Sequence, residues 1–94
     1  MKLIRFANII INQSGDVMVA VADHNLTAGQ PIDVQLNTKN SFEIYQDGLL
    51  VGHVEESPPE AMTALATSKR VLLVEVGENG PTRIHEKVTV RPAE

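Results

Sequence analysis

The sequence predicts an α+β domain, a small antiparallel β-barrel of about six strands with one short helix before the last hairpin. Three observations carry this prediction. Short runs rich in β-branched residues recur along the chain, and clusters of Gly, Pro, Asn, Asp and Ser separate them. Asp47-Gly48 stands between two of those runs, FEIYQ and LLVGHVE, as a hairpin signal. One stretch, residues 57–70, changes to helix formers behind a Ser-Pro start. The 94 residues are enough for a single domain, 1–94, and too few for two.

In chain order, residues 3–11 read as a strand, 13–16 as a turn and 17–22 as a returning strand. Val17, Val19 and Val21 share one face of that strand by the two-residue period, and Met18, Ala20 and Ala22 share the other. Residues 23–31 are a loop, 32–36 a short strand and 37–41 a second polar turn. In the hairpin that follows, a type I′ turn needs φ > 0 at both central positions, which Asp and Gly supply cheaply. That turn predicts Ile44 opposite Val51, Tyr45 opposite Leu50 and Phe42 opposite His53. Phe42, Ile44, Leu49 and Val51 then share one face, and Tyr45, Leu50 and Val54 the other.

The helix is predicted with Ser57 at its N-cap, Pro58 at N1 and Glu60 at N3. Ala61, Met62, Leu65 and Ala66 form its apolar stripe, and Lys69 and Arg70 occupy its last turn. Residues 71–76 are a strand with Val71 and Leu73 on one face and Leu72, Val74 and Val76 on the other. After a turn at 77–81, residues 82–90 form the last strand. Ile84, Val88 and Val90 point one way along it, and Arg83, His85, Lys87, Thr89 and Arg91 the other.

Composition narrows the function classes. Hydrophobic residues are 43% of the chain, enough for a core without staples, but there is no Trp, one Tyr and two Phe. Few aromatics leave little stacking surface for unpaired bases. The net charge of −4 argues against a large nucleic-acid footprint or an anionic membrane partner. With no cysteine there is no disulfide, thiolate metal site or cysteine nucleophile. Arg5 and Asn8 interrupt the N-terminal apolar run, and no small-residue cleavage site follows it. Nothing approaches the ~20 apolar residues of a membrane span. The expectation is a cytoplasmic protein without a membrane partner.

Residues 30–76 resemble the HIRAN domain family. The carrying text is PIDVQL, NTKNS, FEIYQ, DG, LLVGHVEE, then SPPEAMTALATSKR and VLLVEV, and its most specific piece is LLVGHVEE leading directly into a capped helix. With Asn37 in the family's Asn position, Asn40 stands where that family has Asp, and Glu43 where it has a small residue. The resemblance implies an SH3-like barrel. It also implies capture of single-stranded DNA or DNA ends by basic and aromatic residues.

Candidate chemistry is sparse. His24, His53 and His85 lie about thirty residues apart, without the close spacing that marks a metal site. No GxSxG elbow and no Gly-rich phosphate loop is present, so no catalytic residue, metal or cofactor is expected. The basic row Arg83, His85, Lys87, Arg91 has a spacing of roughly 6.5–7 Å between alternate residues, near that of successive phosphates. The competing reading is a solvated edge strand whose cations discourage edge pairing. Strands apolar on both faces place a candidate interface at Met18, Ala20, Val71 and Leu73. The first expectation is a non-enzymatic module for protein–protein contact, including a homodimer. Binding of single-stranded DNA by the basic row comes second, and a small metal-dependent enzyme using His24 and His53 last.

Overall fold

The computed structural model describes residues 2–93; Met1 and Glu94, the ends of the predicted domain, lie outside it. The order is β1 (Asn8–Ile11), β2 (Val17–Ala22), β3 (Ile32–Leu36), β4 (Phe42–Gln46), β5 (Leu49–Val54), α1 (Pro59–Thr67), β6 (Val71–Gly77), β7 (Gly80–His85) and β8 (Val88–Arg91). These strands form two four-stranded sheets, β1-β2-β6-β7 and β5-β4-β3-β8. The α+β class holds. The barrel of about six antiparallel strands does not, because the described residues form eight strands and both sheets are mixed. β2 runs parallel to β6, and β3 parallel to β8. Turn signals report only strands adjacent in sequence, whereas Val17 pairs with Val71 and Ile32 with Val88.

The chain passes between the sheets through residues 23–31, through α1 and at two tight corners. Ile4 bridges to Gly52 beside β5, donating its N–H to Val51 O at 2.9 Å and accepting from His53 N–H at 2.8 Å. It then leads into β1 of the other sheet, so the predicted strand over 3–11 is divided between two sheets. A Cβ on Gly52 would come within 3.1 Å of both Ile4 Cβ and Ile44 Cδ1, so the missing side chain permits this approach. The second corner is Glu86-Lys87, between β7 and β8. The predicted last strand breaks there.

The core fills the space between the sheets. Val17, Val19, Val21, Val71 and Leu73 enter it from the first sheet. Ile32, Val34, Leu36, Phe42, Ile44, Val51 and Val54 enter from the second, and Leu65 reaches it from α1.

At the hairpin, Asp47 and Gly48 take φ of 54° and 74°, as a type I′ turn requires, and Tyr45 faces Leu50. A β-bulge between Ile44 and Tyr45 then shifts the register by one residue. Ile44 therefore faces Gly52 and Phe42 faces Val54, in place of Val51 and His53. Leu49 is exposed beside the turn and does not share the buried face of Phe42 and Ile44.

Helix α1 starts one residue later than predicted. Pro58 is extended (ψ 143°) because the residue before a proline is steered away from helical backbone, and Pro59 opens the helix. No side chain among the described residues caps it; Ser57 is buried and its N–H donates to Asn40 O at 2.8 Å. Ala61 and Leu65 face inward and Ala66 is exposed, while Lys69 and Arg70 fall beyond the last turn.

Candidate functional site

The outer faces of the two sheets differ in chemistry. Pairing and the two-residue period place Asp33, Gln35, Glu43, Tyr45, Leu50, His53, Thr89 and Arg91 on the outside of the second sheet. That is an ordinary solvated face. On the first sheet the same logic places Ile10, Met18, Ala20, Leu72, Val74 and Ile84 outside. Ile10 is 46% exposed and Ile84 61%, and both isoleucines lie on the two outermost strands. Val74, in the middle, is buried by its neighbours yet does not belong to the core cluster between the sheets. Phe6, 86% exposed, borders a shallow hollow with Ala20, Ala22 and Val76 at one end of this face. No charged side chain interrupts those positions.

Two of the four predicted interface residues, Met18 and Ala20, lie on this outer face. Val71 and Leu73 do not: they are 5% and 0% exposed and belong to the core. Both faces of their strand are apolar, so the sequence offers two equal choices. The core lies on the side shared with Val17 and Val19, and Leu72, Val74 and Val76 are the outward residues.

The basic row is not assembled. At the corner Glu86-Lys87 the alternation slips by one, so that His85 and Val88, which an unbroken strand would put on opposite faces, both face the interior. Arg83 and His85 consequently turn inward on β7, opposite Glu75 and Leu73 on β6. Lys87 lies at the corner. Arg91 is on the outside of the second sheet, 3.7 Å from Asp33. Ile84, predicted to share a face with Val88 and Val90, is left on the outer face of the other sheet.

The inward turn of Arg83 and His85 builds a cluster that residue counting did not find. Glu75 is fully buried, and its Oε1 lies 2.7 Å from His85 Nε2. Its Oε2 accepts the N–H of His24 at 2.7 Å and of Leu26 at 3.3 Å, with Arg83 Nη1 3.8 Å away. Arg83 donates onward to Asp23 Oδ1 at 3.0 Å and Asn25 Oδ1 at 2.7 Å. The Asn25 N–H, first, and then Thr82 and Arg83 hold the Asp23 carboxyl below its ordinary pKa, against a smaller opposing effect of burial. His85 Nδ1 is buried with no hydrogen-bond partner among the described residues. The signal available in the sequence was Glu75 itself, which the two-residue period places on the same face as Val71 and Leu73. An acid on a buried face requires partners. This arrangement ties the loop after β2 to the β6–β7 hairpin.

His24 and His53 are not brought to one site. His24 Nε2 contacts the Lys2 carbonyl, while His53 stands on β5 between Glu43 at 3.8 Å and Glu55 at 3.3 Å. Among the described residues, no group of three His, Cys, Asp or Glu side chains has the geometry to hold a metal ion. No helix among them is long and apolar enough to cross a membrane.

No family model, curated protein or solved structure matches this chain.

Proposed function

We propose that this domain is a non-enzymatic protein-interaction module whose contact surface is the outer face of the β1-β2-β6-β7 sheet. The carrying observation is the contrast between the two outer faces. Both sheets bury an apolar inner face, but on the outside the second sheet sets Tyr45 and Leu50 among charged and polar residues, whereas the first carries an apolar run from Ile10 through Met18, Ala20, Leu72 and Val74 to Ile84. Four strands spaced ~4.8 Å apart and about five residues long give a patch of several hundred Å², the size at which exposed apolar surface marks a binding site. A partner suited to it presents an uncharged aliphatic surface, since any charge set against Val74 would be desolvated without an opposite charge.

Photo-cross-linking tests this reading in the cells that make the protein. A photoreactive side chain at position 84 is expected to capture a partner polypeptide, and the same probe at position 45, on the polar face, is not. Equal capture from both positions, or none from position 84, would end the proposal.

A further inference from the structure

Each sheet has two edges, and three of the four carry a feature that discourages pairing with another strand. β7 contains Pro81, which has no N–H to offer, together with Arg83, and the ladder behind it is bulged between Glu75 and Val76. β8 ends on Arg91 followed by Pro92, and the free side of β5 is occupied by Ile4. β1 has none of these. Its sequence is Asn8-Ile9-Ile10-Ile11, without charge, proline or bulge, and no strand of the described residues lies on its other side. Ile10 on the outer face and Ile11 on the opposite one are 46% and 56% exposed, so this edge is apolar on both sides of the sheet.

We propose that β1 is the seam of a symmetric dimer, pairing antiparallel with β1 of a second copy of this chain. The inference rests on the reading of this sheet as a contact surface and names the partner along its β1 margin. A strand pairing with its own copy about a two-fold axis must be self-complementary. The uncharged run meets that condition, since no like charges would face one another. An axis perpendicular to the sheet preserves faces only if paired residues share parity. Ile10 then faces Ile10 of the second copy, and Ile9 faces its Ile11. The two apolar outer faces become continuous across eight strands. A seam of one short strand buries less than a standard interface, so the dimer is weak, dissociating on the order of ten to a hundred micromolar.

Sedimentation velocity across that range tests the proposal, with hydrogen exchange of residues 9–11 followed at the two extremes of concentration. Expected are a dimer that grows with concentration and slower exchange of those amides as it forms. Ile10→Lys, which sets two cations opposite each other at the axis, should raise the dissociation constant at least about tenfold. Thr89→Lys, on the polar outer face of the other sheet, should leave it unchanged. A wild-type protein that stays monomeric throughout overturns the second copy, while capture of another polypeptide from position 84 would stand. A dimer insensitive to Ile10→Lys, or weakened equally by Thr89→Lys, overturns the seam. Because the exchange measurement uses wild-type protein alone, misfolding of a variant cannot rescue or sink the result.

Discussion

Asp23 lies on the surface just past β2, yet its carboxyl is held below its ordinary value of 3.8, chiefly by the Asn25 N–H at 2.9 Å. A folded-state value below the unfolded one means that folding favours the ionised form. Its contribution is therefore fully present above the unfolded value and is lost as pH falls through the lowered folded value. Urea denaturation of the wild type and Asp23→Asn should show a constant stability difference from neutral pH to about pH 5, shrinking below about pH 4. A difference that stays level to about pH 2 would remove this role. Arg83 reaches the same carboxylate, and the pair is partly exposed, so salt should weaken it.

At the scale of elements, the loop after β2 is held by a carboxylate from β6. Glu75 satisfies two backbone N–H groups of that loop and the imidazole of His85 at once. Removing it leaves all three without their acceptor in a buried site. Breaking such an arrangement costs about 3–5 kcal/mol, a large part of the roughly 5–15 kcal/mol that stabilises a domain. Glu75→Ala should lose that much in chemical denaturation, and the amides of His24 and Leu26 should exchange faster. Glu75→Gln keeps one acceptor oxygen and should lose less. If Glu75→Ala unfolds with unchanged protection at those two amides, the carboxylate does not hold the loop.

For the whole molecule, the decisive division is between the inner and outer faces of the β1-β2-β6-β7 sheet. Leu73 and Ile84 are both large aliphatics of that sheet, but one is 0% and the other 61% exposed. Leu73→Ala leaves a cavity in the core and should cost about 2–5 kcal/mol. Ile84→Ala should stay within about 0.5 kcal/mol, because no cavity forms at the surface. Thermal or urea unfolding of the two variants separates them. Comparable losses at both positions would mean that the outer face is packed like a core and is not open to a partner.

By itself the sequence determined what local chemistry controls. The Asp47-Gly48 turn, the two-faced apolar strands at 17–22 and 71–76, and the single helix were legible because turn geometry and side-chain period act within a few residues. Two further features depended on small local breaks. The bulge at Ile44/Tyr45 and the corner at Glu86-Lys87 each insert a residue into an alternating run, and every later side chain changes face. The basic row from Arg83 to Arg91 was lost to the second of these, which also turned Arg83 and His85 toward Glu75. Only the tertiary structure decided which face of an apolar strand is core. Val71 and Leu73 are inside, and Val74 is outside the core cluster, because the second sheet packs against one side and no sheet of the described residues covers the other. A strand with two apolar faces carries no preference of its own. The choice belongs to the parallel pairing of Val17 with Val71, made across most of the chain by burial that no local pattern encodes.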